Sequence, residues 1–307
     1  MPRPDHVVLL INPSAAKGAG ARIGRRALAA FRAAGIAVTG IVGRDAADGE
    51  ARAAAALAAS PGASLVVVGG DGMVSMGLRL LDGLGVPLGL IPAGTGNDVA
   101  RMAGLPLKDP EAAARIVVGG SVASFDLGEA SAGAVVRRFG TILACGLDSK
   151  VNDRANRMKR PRGQSRYNLA MVLELPRFKP IAFELRLDGE VRHVEAMLVA
   201  VGNGPTYGGG MLMCPEADPH DGRFQCTVVA KVGKPTLLRI FPKVFAGKHV
   251  SHPAVSVHHA SRVEILADGV SCWADGEPIG ELPVVCRTLP GAVLLYTSVR
   301  TDDARAE

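Results

Sequence analysis

Val66-Val67-Val68-Gly69-Gly70-Asp71-Gly72 joins an apolar strand to a glycine-rich turn and then to a helix. Three successive β-branched residues suit a strand covered on both faces, as in a parallel sheet. The glycines let a phosphate approach the backbone, whose N–H groups bind anions with help from a helix N-terminus. Asp71 falls at the carboxyl end of the strand, where ligands of open α/β sheets bind. There it can serve a magnesium-bound nucleotide. Taken alone, these residues also fit a tight βα turn with a solvated aspartate.

Outward from this turn, the first 130 residues alternate strand and helix. Strands are expected over 7–11, 37–42, 65–68 and 87–91, and helices over 21–34, 49–59 and 73–84. Parallel crossovers need a covering element, so the alternation implies a parallel sheet with helices on both faces. A second glycine loop, Pro92-Ala93-Gly94-Thr95-Gly96-Asn97-Asp98, follows the fourth strand. It offers a hydroxyl at Thr95, a second carboxylate at Asp98, and Asn97 or Asp98 as N-cap. A third loop, Asn12-Pro13-Ser14-Ala15-Ala16-Lys17-Gly18, closes the first strand. None has the G-x-x-x-x-G-K-[ST] or G-x-G-x-x-G spacing.

After Asp126-Leu127-Gly128 the rhythm changes. Short strands are expected over 181–187, 191–201, 224–230, 254–257, 262–266, 284–286 and 292–297. Helical signal there is confined to 167–175 and about 235–245. Regular turn signals between short strands suggest a β-sandwich or barrel. The expected organisation is an α/β domain over 1–128, a mostly-β domain over 129–299 and a polar tail over 300–307. Asp275-Gly276 reads as a type I′ hairpin turn that presents Glu277.

The net charge of +6 favours phosphates, anionic lipid or nucleic acid. Only 4% of residues are aromatic, too few for a platform that stacks bases, so nucleic acid is not expected. Five scattered cysteines without a C-x-x-C pair point away from disulfides or zinc and toward a reducing cytoplasm. No stretch reaches the roughly 18 apolar residues of a membrane span. Arg154, Arg157, Lys159, Arg160, Arg162 and Arg166 form a basic run ahead of the apolar 167–173. That pairing suits peripheral contact with an anionic membrane as well as a solvated surface. Glu216, Asp218 and Asp221 lie in a turn-rich stretch of hard oxygen donors, fitting Mg²⁺ or Ca²⁺ better than zinc.

Together these pieces resemble the diacylglycerol kinase catalytic-domain family, the bacterial soluble lipid kinases related to sphingosine and ceramide kinases. The resemblance rests on Asn12-Pro13, Gly69-Gly70-Asp71-Gly72, the 92–98 loop, Asp126-Leu127-Gly128, Gly208-Gly209-Gly210-Met211, Pro215-Glu216-Ala217 with Asp221-Gly222, and Asp275-Gly276-Glu277. It implies ATP held in a cleft between the domains by Asn12, the 69–72 loop, Ser75, Thr95, Asn97 and Asp98. Asp71 would serve the Mg·ATP phosphates, with Asp126 supporting that carboxylate. Glu277 would be the general base on the hydroxyl of diacylglycerol or a related lipid. Asp218, Asp221 and Arg223 match a structural magnesium site. Met73 and Ser75 depart from the family's usual Thr and Asn, and Ala15 from its Gly. A soluble-substrate kinase of the NAD kinase type and a non-catalytic lipid or nucleotide binder are the other readings. A homodimer is left open.

Overall fold

Parallel pairing organises the front of the chain. In the computed structural model, which describes residues 3–158, 160 and 164–299, β1 (His6–Ile11) lies between β2 (Ala37–Ile41) and β3 (Ser64–Gly69). β3 pairs in turn with β4 (Leu88–Pro92), and the end of β15 (Val284–Tyr296) pairs with β4 at Leu295↔Leu88. The order β2-β1-β3-β4-β15 reverses direction between β1 and β3, which makes the carboxyl ends of those two strands the switch point where ligands bind.

Helices cover both faces of this sheet. α2 (Gly20–Ala33) contacts β1, β2, β3 and α6 (Pro110–Gly119). α3 (Ala46–Ala59) contacts β1, β2 and α4 (Asp71–Leu80). Val7, Leu9, Val66 and Val68 therefore meet Phe31 and Val117 in one core cluster, and the intervening Val8, Leu10, Leu65 and Val67 are also buried. The starts of α3 and α6 are capped by local side chains: Asp45 accepts from the Asp48 N–H, and Asp109 from the Ala112 N–H. α6 escaped the sequence reading although Asp109, Pro110 and the left-handed Gly120 carry its signature. α4 starts at Asp71 and stops at Leu80, two residues before and four before the expected bounds. Its early stop is followed by Gly83 and Gly85, both at positive φ.

Contacts divide the chain into two units, one reaching Phe125 and resuming at Gly291, the other Asp126–Pro290. The sequence places a domain boundary at 128, three residues beyond the point where the first unit leaves off. β15 is one 13-residue strand where two were expected. Its front half pairs with β12 (Arg262–Leu266) in the second unit, and Gly291 onward belongs to the first.

The second unit is an antiparallel β-sandwich. β5 (Val122–Ala132) and β6 (Val135–Phe139) form a hairpin. β9 (Glu190–Gly202) pairs at its front with β8 (Ile181–Leu187) and at its back with both β7 (Ile142–Gly146) and β10 (Phe224–Ala230). β11 (Val255–Ala260) flanks β10; β13 (Ser271–Ala274) joins β7 to β14 (Glu277–Glu281). Phe139 stacks on Phe224 at 5.8 Å in the core. All five cysteines are buried as free thiols, and burial pushes Cys214 and Cys226 up to about 12. A second cluster lies under α7 (Leu147–Arg157), α8 (Gln164–Glu174) and α9 (Lys234–Val244). α7 was not expected, because its buried apolar residues are only Leu147, Val151 and Ala155, with polar Asp148, Ser149 and Asn152 buried beside them. Lys159, Arg162 and the polar tail lie outside the described residues.

Candidate active site

The first unit gathers its three loops at the switch point. β3 ends at Gly69, and Gly70 leads into α4, whose first residue is Asp71. β4 ends at Pro92, and its loop enters α5 (Asp98–Met102). The two loops touch through backbone: a Cβ at Gly70 would stand 2.8 Å from the Gly94 Cα. A Cβ at Gly96 would stand 2.4 Å from Asp71 Oδ2. Only glycine fits either place.

Asp71 fastens one loop to the other. Its Oδ2 accepts from the Asn97 N–H and its Oδ1 from the Asp98 N–H, both at 2.9 Å. Each charge-assisted bond contributes about 1.5–3 kcal/mol. Asn97 does occupy the N-cap position, at φ 56°, but its side chain does not cap. Its Oδ1 accepts from the Gly94 N–H and its Nδ2 donates to the Gly94 carbonyl. The cap on α5 thus comes from Asp71, in a different loop. Asp98 is buried, and Thr95 is exposed.

After β1, Asn12 Oδ1 accepts from the Ser14 N–H, and α1 (Ala15–Gly18) contains two left-handed residues, Ala16 and Lys17. These loops surround an open cavity of ≈ 770 Å³ that Asn12, Ser14, Lys17, Gly70, Met73 and Thr95 help to line. That size suits a nucleotide. A smaller recess of ≈ 210 Å³ shares Asn12, Ser14 and Met73 and extends to Arg44 and Asp45. Ser75, expected at the phosphates, turns back to donate its hydroxyl to the Asp71 carbonyl.

The second unit holds the remaining carboxylates. Asp126 is buried; its N–H donates to the Pro219 carbonyl, and its Oδ2 accepts from the Gly222 N–H at 2.7 Å. Asn203 Nδ2 donates to the carbonyls of Asp126 and Gly140. In the loop thus anchored, Asp218 Oδ1 accepts from the His220 N–H and Asp221 Oδ1 from the Arg223 N–H. Among the described residues, no three acidic, His or Cys side chains converge as a metal cluster.

Asp275 and Gly276, at φ 49° and 80°, make the two-residue turn between β13 and β14. The Asp275 carboxylate is drawn inward, accepting from the N–H groups of Gly140, Thr141 and Ile142 and from the Thr141 hydroxyl. Burial raises its pKa above the ordinary aspartate value, against the pull of those donors. Glu277 emerges two residues on and pairs with Arg137 of β6 at 2.8 Å. The sequence reading missed Arg137 and the anchoring role of Asp275; the left-handed Asp-Gly pair was the available signal for the second. Farther along, Tyr207 donates its hydroxyl to Asp148 Oδ1 and Asn152 donates to Oδ2, while burial lifts Asp148 to about 6. In the basic run, Arg154 is paired with Glu174, while Arg157 and Arg160 are exposed.

Known proteins match this chain along both units. The diacylglycerol kinase catalytic domain family matches residues 6–130, and the YegS C-terminal NAD kinase beta sandwich-like domain family matches 141–297. The diacylglycerol kinase of Mycobacterium tuberculosis is 44% identical over 289 residues, covering 94% of this chain and 93% of that protein. The Bacillus subtilis diacylglycerol kinase is 30% identical, over 71% of this chain and 72% of its own length. A crystal structure of a diacylglycerol kinase from Bacillus anthracis is similar in fold, with TM-score 0.73 at 19% identity over 97% of this chain and 98% of that one. An NAD kinase from Archaeoglobus fulgidus in complex with ATP reaches TM-score 0.51 at 16% identity, over 95% and 92%.

Proposed function

This chain belongs to the diacylglycerol kinase family and is a lipid kinase; on that premise we propose that it moves the γ-phosphoryl group of ATP to the free hydroxyl of a diacylglycerol, giving a phosphatidic acid. The observation that carries the reading is the Asp71 clamp, which locks two glycine loops around a nucleotide-sized cavity at the sheet's switch point. Thr95, Asn12, Lys17 and the N–H groups of the 69–72 loop would hold the phosphates. That Glu277 and Asp71 serve one reaction is part of this proposal.

Phosphoryl transfer requires positioning and charge neutralisation more than covalent help. A lipid alcohol is too weak an acid to ionise near neutrality, so a carboxylate must take its proton during attack. Such assistance is worth roughly 10²–10⁴ in rate. Glu277 would take that proton as the hydroxyl oxygen bonds to the γ-phosphorus. The bond from that phosphorus to the β,γ-bridging oxygen breaks, and ADP leaves. Arg137 fixes the Glu277 carboxylate in direction, and Asp275 fixes the turn beneath it.

Mg²⁺, when bound, would neutralise phosphate charge. The Asp71 carboxylate offers hard oxygen donors beside the loops, and these would suit such a cation. Asp218 and Asp221 each keep one carboxylate oxygen outside their local turns, and with the Arg223 backbone carbonyl they fit a hydrated Mg²⁺ that retains several waters. Exposed Arg157 and Arg160 would add peripheral contact with an anionic membrane.

Labelled ATP with diacylglycerol in mixed micelles tests the reading. A labelled phosphatidate is expected, and Glu277→Gln should lower kcat by about 10² or more. Absence of product from diacylglycerol and from a total lipid extract would reject the proposal.

A further inference from the structure

α9 has two apolar stripes; the fold buries one, and of the other it takes up only part of Phe241. Leu237, Ile240 and Val244 are buried in the cluster beneath the helix. About 100° further round, Leu238, Phe241 and Phe245 form a second row at the same i, i+3, i+7 spacing. Leu238 is 59% exposed and Phe245 51%. Phe241 sets its ring edge-to-face with Phe245 at 6.2 Å. Beyond this row the exposed Arg239 and Lys243 lie one turn apart. No Asp or Glu occurs anywhere between Asp221 and Glu264, an interval that also contains Lys231, Lys234 and Lys248.

We infer that the outer face of α9 is a docking surface for an anionic lipid bilayer, lying flat at the headgroup level. The occupant follows from charge and shape together. An apolar row flanked by cations on an 11-residue helix is too short to span but suits an interfacial position. Pro242 removes the donor that would have met the Leu238 carbonyl, which leaves that group to water or headgroups rather than hydrocarbon. The helix is held while it docks: Lys234 donates to the Pro176 carbonyl beyond α8, and the inner stripe stays in the core. The docking residues are other than Arg157 and Arg160, and the inference rests on the lipid-kinase reading only in that a membrane-borne substrate gives the docking a purpose.

Co-sedimentation of the full chain with phosphatidylcholine vesicles, with and without phosphatidylglycerol, tests it. The wild type should prefer the anionic vesicles. Leu238→Ser with Phe245→Ser should lower partitioning about tenfold on vesicles of both kinds. Arg239→Glu with Lys243→Glu should lower it roughly 25-fold or more on anionic vesicles alone, at about fivefold per cation. Both variants should keep their phosphorylation rate on a short-chain diacylglycerol dissolved below its micelle concentration. Unchanged vesicle binding in both variants overturns the inference. So does a fall in self-association, read by light scattering, without a fall in vesicle binding, because the stripe would then cover a second copy. Vesicle docking without any lipid phosphorylation would leave α9 standing and defeat the kinase proposal. Phosphorylation of dissolved lipid without docking would do the reverse.

Discussion

Asp275→Asn separates the turn from the carboxylate that anchors it. Asparagine tolerates φ 49° as aspartate does, so the β13–β14 turn should survive. In the wild type, Oδ1 takes the N–H groups of Thr141 and Ile142 and the Thr141 hydroxyl, while Oδ2 takes the Gly140 N–H at 2.6 Å. An amide oxygen can replace Oδ1, but its NH₂ then faces the Gly140 N–H, donor against donor. Losing one charge-assisted bond and stranding one N–H costs about 1.5–3 kcal/mol. Removing a charge that burial disfavours returns part of this. The net expectation is a loss of about 1–2 kcal/mol, read from the urea midpoint of the second unit. Kinetically, a shift of about 1 Å in the hairpin that carries Glu277 should cut kcat by about 10–10², with KM for ATP within about twofold. Wild-type kcat, or a raised KM for ATP at unchanged kcat, would show that the carboxylate does not position Glu277.

Asp71→Asn sets an NH₂ against the Asn97 or Asp98 N–H, so nucleotide binding and kcat should both fall at least tenfold, by ATP titration and turnover; normal ATP binding would count against the clamp. Met73→Thr returns a hydroxyl to the cavity wall and should lower KM for ATP by about 2–10-fold, one net hydrogen bond; a higher KM would contradict this. Asp148 holds its proton up to about pH 6 when folded and to about 4 when unfolded, so the native state binds the extra proton and stability falls as pH rises through that window, by about 3 kcal/mol in all. Asp148→Asn should flatten this fall and gain stability at pH 8, measured as wild-type-minus-variant urea midpoints between pH 4 and 8; a difference independent of pH refutes the assignment.

The parallel core was legible because β3 is apolar on both faces and ends in glycines, and no other arrangement satisfies both. The sandwich was legible from spacing, and the Asp275-Gly276 turn from its chemistry. Asp71 was singled out by position, but its partners were not. A carboxylate that caps a helix 26 residues downstream leaves no mark at i+3, where a local cap would. For the same reason Asn97 or Asp98 read as the cap: the residue types fit, yet the Asn97 side chain meets Gly94. α7 was hidden because half of its buried face is polar, Asp148, Ser149 and Asn152 beside Leu147, Val151 and Ala155. The run 284–297 read as two strands because Pro290-Gly291 looked like a break. The strand passes through it, and the chain changes unit there.

An aspartate at the centre of the proposed phosphate site should repel its ligand, and the loops explain why it need not. Asp71 opens α4, where the positive end of the helix dipole offsets its charge. Two further N–H dipoles, from Asn97 and Asp98, point directly at its oxygens. Much of the negative charge is therefore already met within the protein. The groups ranged around the cavity are then donors: Lys17, the Thr95 hydroxyl and loop backbone. A carboxylate still favours a cation, which phosphates favour too. A side chain that assembles the loops can in this way also recruit the positive charge that a triphosphate needs. The same logic explains why the loops must be glycine at 70 and 96, since a Cβ at either would force apart the contacts that neutralise Asp71.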